Sequence, residues 1–100
     1  MKFLATIDVA EGAVLDQLRS MLSEEVRHSW SLYASGVLRE AYATERPTRV
    51  VFILEAADRA GAEAALRTLP LVASGQFRAE LTELRPFLNW ALVSATPDAK

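Results

Sequence analysis

Val50-Val51-Phe52-Ile53-Leu54 is the segment that most restricts what this chain can fold into. β-branched and aromatic residues favour a strand, and a strand apolar at every position needs cover on both faces. A chain of 100 residues meets that need with a sheet whose helices lie on one face, the other face being covered by something else. Upstream, Arg46-Pro47-Thr48 is a turn, because proline fixes φ and removes a ladder donor. Val37 to Thr44 therefore reads as a strand that forms a hairpin with Arg49 to Glu55.

The remaining punctuation places the other elements. Phe3 to Asp8 alternates as a strand, with Phe3, Ala5 and Ile7 on one face, and Glu11-Gly12 breaks it. Ala13 to Ala34 has helical periodicity. At about 100° per residue, Leu15, Leu18, Leu22, Val26, Ser29 and Tyr33 form one stripe. Ser35-Gly36 ends that helix. Asp58 is an N-cap for a second helix over Arg59 to Thr68, and Pro70 ends it. Leu71 to Gly75 reads as a connector. Gln76 to Leu84 alternates Phe77, Ala79 and Leu81 against Arg78, Glu80 and Thr82, which predicts a fourth strand. Pro86 closes it. Residues 86–93 form an apolar C-terminal arm and 94–100 a loose tail.

The order β-α-β-β-α-β predicts one α+β, ferredoxin-like domain over residues 1–93: a four-stranded antiparallel sheet with two helices on one face. The bare face still carries apolar groups, and 51% of the chain is hydrophobic. A second copy pairing sheet against sheet is the simplest cover, with the arm wrapping the partner.

Composition removes whole classes of function. The net charge of −2 with mixed signs argues against a nucleic-acid partner. No apolar run approaches the roughly 20 residues that span a bilayer, and the opening residues turn acidic too soon for a signal peptide, so the expected compartment is the cytoplasm. There is no cysteine and His28 is the only histidine, which leaves no thiolate site and no His-rich metal site. Asp58-Arg59-Ala60-Gly61 is not a phosphate loop, and no cofactor fingerprint is present.

Several segments then resemble a known family. Met1-Lys2-Phe3-Leu4-Ala5-Thr6-Ile7-Asp8-Val9 is similar to the opening strand of muconolactone isomerases. So is Tyr33-Ala34-Ser35-Gly36 before the second strand, and so are Leu69-Pro70-Leu71 and Glu83-Leu84-Arg85-Pro86-Phe87. The resemblance runs from about residue 1 to 90 in order and spacing. YCII-related domains share a similar pattern of helix histidine, glycine and terminal Pro-Phe. The chain departs at Val72-Ala73-Ser74-Gly75-Gln76-Phe77 and at Asn89-Trp90. The resemblance implies a dimeric α/β barrel, in some relatives built into larger rings, that shifts a proton within an unsaturated lactone without a cofactor.

Such a reaction needs a base for a carbon-bound proton and donors for the enolate. Glu25 is the first candidate. It lies about 60° to 80° from the centre of the apolar stripe, where a partly desolvated carboxylate gains basicity. It also matches a glutamate of the isomerase first helix. The alternative is a boundary glutamate whose stem packs and whose head reaches water. His28 follows at i+3, within reach of a hydrogen bond to Glu25. It matches the site histidine of YCII-related domains, and equally fits a charged surface rim. Tyr42 is a candidate enolate donor. Arg39, expected on the opposite face of the same strand, is a candidate carboxylate clamp, or a partner for Glu55 or Glu80. Asp8 either opens a sheet-edge cleft or caps the next turn. Trp30, Phe52, Phe77 and Trp90 either line an apolar pocket or serve the core and dimer interface.

Three readings follow. The first is a cofactor-free isomerase-like enzyme acting on a small cyclic, carboxylated, lactone-type substrate. The second is a cofactor-independent oxygenase or cyclase acting on an aromatic substrate. The third is a non-enzymic small-molecule-binding oligomer.

Overall fold

A computed structural model describes residues 1–95. Strands β1 (Lys2–Val9), β2 (Leu38–Glu45), β3 (Thr48–Glu55) and β4 (Phe77–Leu84) form one antiparallel sheet in the order β2-β3-β1-β4. Helix α1 (Leu15–Ala34) connects β1 to β2, and α2 (Arg59–Arg67) lies between β3 and β4. This is the ferredoxin-like arrangement expected from the element order.

Register explains where the core sits. Phe3 lies opposite Leu54, Ala5 opposite Phe52 and Leu81, and Ile7 opposite Ala79, so these residues share a face. Phe3, Ala5, Leu54, Ala62, Leu69 and Leu71 are fully buried under the helices. The opposite face carries Leu4, Thr6, Val51 and Ile53, only half-buried. The all-apolar β3 is therefore covered on one face by its own chain and open on the other.

The ends of the helices follow local chemistry. The Asp58 side chain accepts from the Gly61 N–H at 2.7 Å and caps α2. Gly36, at φ 85°, follows α1, while the Val37 N–H reaches the Leu32 carbonyl and the Gly36 N–H reaches that of Tyr33. Those bonds satisfy the last carbonyls of α1 and need a left-handed residue where glycine stands.

Three features go beyond the sequence reading. Leu71 to Gly75 is not a plain connector, because Pro70–Ala73 forms a helical turn, α3, with Pro70 at its start. Proline stops α2 and is also favoured as a first helical residue. The apolar stripe of α1 is split: Leu15, Leu22, Val26 and Tyr33 are exposed, whereas its Leu18 and Ser29 turn toward the domain with Met21, Glu25 and Leu32. The arm is helical where the sequence reading has only an apolar run. The arm forms a 3-10 turn (Leu88–Trp90) and a short helix, α4 (Ala91–Ala95), so Ser94 and Ala95 continue the arm. The rest of the expected tail lies outside the described residues.

Candidate active site

Glu25 is the one charged residue among the buried side chains described, with 7% of its surface exposed. It projects from the middle of α1 toward α3. There its Oε1 accepts the Leu71 N–H at 2.7 Å. Leu69 precedes α3 and has no side chain able to cap it, so Glu25 supplies the cap from 46 residues away. Desolvation by burial raises the Glu25 pKa above 4.5, partly offset by the Leu71 hydrogen bond and by the nearby His28. No buried side-chain oxygen or nitrogen among the described residues lacks a partner, yet no bond occupies Glu25 Oε2. That oxygen therefore retains access to the outside. One oxygen is anchored, the other is open, and the group holds a proton more tightly than a free glutamate.

His28 stands beside Glu25 but is not bonded to it. Its Nδ1 donates instead to the Glu24 carbonyl at 2.8 Å, with Glu24 Oε2 at 3.9 Å. An i,i+4 backbone carbonyl lies directly under a helical side chain, and this contact displaces the expected i+3 pair. With Nδ1 carrying the proton, Nε2 is the free acceptor.

The other candidates do not gather around this pair. Tyr42 lies opposite Val51, on the open face, and donates to Glu40 Oε1 at 2.5 Å. That carboxylate raises the phenol's pKa above 10.0, because ionising it would place two negative charges side by side. Arg39 sits in a β-bulge between Leu38 and Glu40 and donates to the Gly36 carbonyl at 2.5 Å. It forms no direct salt bridge with Glu55 or Glu80, although its charge adds to the lowering of the Glu55 pKa. Glu55 binds the N-terminal amine at 2.6 Å, which lowers its pKa. Asp8 neither caps its turn nor stands alone, since it pairs with Arg49 at 2.7 Å.

Of the four aromatic candidates, Phe52 and Phe77 belong to the core: Phe52 is buried, and Phe77 packs half-buried against it. Trp30 is 66% exposed and stacks 5.4 Å from Tyr33. With Val26, Ser29, Leu38 and Ala41 these two rings line a groove of about 330 Å³ between α1 and β2. Trp90 is 74% exposed, edge-on to Phe87 at 5.3 Å. Within one chain the sheet thus separates Tyr42 from Glu25 and His28, and Trp90 stands apart from both.

Sequence reasoning missed the Leu71 N–H and the Asp8–Arg49 pair. The first carried a signal, since Leu69-Pro70 announces a helix start with no side chain to cap it. The second did not, because a 41-residue separation becomes a contact only once β1 and β3 pair. Among the described residues, no three His, Asp or Glu side chains converge as metal ligands, and no helix is long and apolar enough to cross a membrane.

No protein-family model and no curated protein matches the sequence. A solved structure does match the fold: the 5-chloro-2-hydroxyhydroquinone dehydrochlorinase TftG from Burkholderia phenoliruptrix AC1100, in complex with 2,5-dihydroxybenzoquinone. The two align with a TM-score of 0.66 and 16% identity, over 85% of this chain and 94% of that one. The similarity establishes a shared ferredoxin-like α+β fold.

Proposed function

We propose that this chain is a small cofactor-free enzyme that moves a proton within a small cyclic, carboxylated substrate of lactone type, as muconolactone isomerases do. We further propose that it works as a homodimer in the cytoplasm. The observation that carries this reading is Glu25: a buried carboxylate with raised pKa, one oxygen fixed by Leu71 and the other open. Fixing one oxygen orients the group, and desolvation makes it a better base once ionised. Glu25 takes a proton from a carbon next to the substrate carbonyl and returns it to another carbon of the same conjugated system. His28, beside it, offers Nε2 as a second proton acceptor while Nδ1 stays on the Glu24 carbonyl. Tyr42 and Arg39 belong to a separate surface of the chain, and they enter the same site only if a second copy brings its own.

The fold shared with a dehydrochlorinase supports a second reading. Here the ring reacts as its keto tautomer, protonated at the chlorine-bearing carbon: the same base takes the proton of the opposite hydroxyl, the O–H electrons form a quinone carbonyl, the ring double bond shifts toward the chlorine-bearing carbon, and chloride leaves. Both readings begin with proton removal by Glu25.

The test is ultraviolet turnover of muconolactone and, separately, of 5-chloro-2-hydroxyhydroquinone, by the native chain and by Glu25→Gln. We expect native turnover of one substrate and a loss of at least 100-fold in the variant, the low end of a general base's contribution. Full activity in Glu25→Gln removes Glu25 from the mechanism. Turnover of neither substrate rejects both readings.

A further inference from the structure

The chain carries two apolar surfaces that its own fold leaves uncovered. The first is concave: the groove between α1 and β2, lined by Val26, Trp30, Tyr33 and Leu38. The second projects: the arm, on which Phe87, Leu88, Trp90, Leu92 and Val93 are 60–75% exposed. The arm's packing is mainly between its own two turns. Its root stands off the strand ends, leaving a hollow of about 700 Å³ beside Leu84, Pro86 and Leu88. The chain is accordingly 62 Å long, with a radius of gyration of 17.1 Å, where a compact chain of this length has about 13 Å.

We infer that the arm of one chain seats in the α1–β2 groove of a second copy, with Trp90 and Phe87 covering Trp30 and Tyr33. The inference rests on the sheet-to-sheet dimer of the proposed function and adds where its arms go. The free edges of the sheet are β2 and β4. Closing two such sheets around a two-fold along the barrel axis sets β4 beside the partner's β2, running antiparallel to it. Register places the end of β4 at Leu84 level with the start of β2 at Leu38, through Lys2, Glu55 and Leu54. The arm therefore leaves β4 next to the partner's Leu38, which lines the groove. Its own groove lies on the far side of the sheet, three strands away.

The area is sufficient. Five apolar side chains at about 100 Å² each, on two arms and against matching groove surface, approach the roughly 1,200–2,000 Å² of a stable interface.

The chain has no cysteine, so introduced thiols are unique. Ser29→Cys places one in the groove and Asn89→Cys places one on the arm. The two single variants are co-expressed as full chains and treated with a short bis-maleimide. A covalent mixed dimer, absent from either variant alone, is the expected product. Three results overturn the inference: a dimer by light scattering with no mixed product, a link within one chain of the double variant, or a monomer. Native turnover is measured independently. Its loss with the cross-link intact refutes only the functional reading, and its presence without the cross-link refutes only the arm exchange.

Discussion

Two substitutions at Glu25 separate its structural work from its chemical work. The carboxylate satisfies the N–H of Leu71, which is fully buried. Glu25→Ala leaves that donor unpaired, at a cost of about 1–3 kcal/mol, and removes one packed methylene, at about 0.8 kcal/mol. Relief from burying a carboxylate offsets part of this, so the net loss should be about 2 kcal/mol. For a domain of this size, that lowers Tm by roughly 8–16 °C. Glu25→Gln keeps an oxygen acceptor of the same shape and should change stability by less than about 1 kcal/mol. The assay is thermal unfolding followed by circular dichroism, beside turnover of the substrate the native chain accepts. Expected is an alanine variant that is both unstable and inactive, and a glutamine variant that is stable and inactive. An alanine variant as stable as the native chain refutes the capping argument. A stable glutamine variant that still turns over refutes the base.

Stability should carry a pH signature of the same group. A raised carboxyl pKa means that the folded state holds the proton more tightly, so the Glu25 contribution is greatest below 4.5. It declines as pH rises from 4.5 to the raised value, then levels. Subtracting the urea-denaturation profile of Glu25→Gln isolates it from Glu55, whose lowered pKa acts in the opposite sense. Activity should show the complementary trend, with an acid limb above 4.5 because the base must be ionised. Asp58→Ala removes the α2 cap and should cost about 1 kcal/mol in urea denaturation, whereas an unchanged midpoint rejects the cap. Gly36→Ala, at φ 85°, should cost a similar amount through left-handed strain alone, since a Cβ there meets nothing within 4 Å.

The parts of the fold legible in the sequence were those set by local rules. The hairpin at Pro47, the Asp58 cap, the Gly36 stop and the alternation of β4 each depend on neighbours in the chain, and each stands where those neighbours place it. The site was legible only in part. Glu25 was singled out by its place on the helical wheel, but its partner was not, because Leu71 meets α1 only after the chain has crossed the sheet. His28 was assigned to Glu25 by spacing, whereas the Glu24 carbonyl lies closer under its ring.

The most informative departure from simple rules concerns α1. A helix on a sheet ordinarily buries its apolar side. The helix instead turns Leu22, Val26, Trp30 and Tyr33 outward and Glu25 inward. For an isolated chain this orientation is costly twice, since it exposes apolar surface and desolvates a carboxylate. The Leu71 hydrogen bond answers the second cost, because it gives the buried oxygen a donor and gives α3 its cap. Nothing among the described residues answers the first. A helix with one face around an anchored acid and the other around exposed aromatics is consistent with two requirements on one element, a site on the inside and an association surface on the outside. Trp30→Asp separates them, because its side chain stands in the groove and not in the Glu25 seam. The variant should retain its circular dichroism and its Glu25–Leu71 contact while shifting to a smaller particle in sedimentation velocity. A variant that sediments like the native chain would leave the outward stripe unexplained.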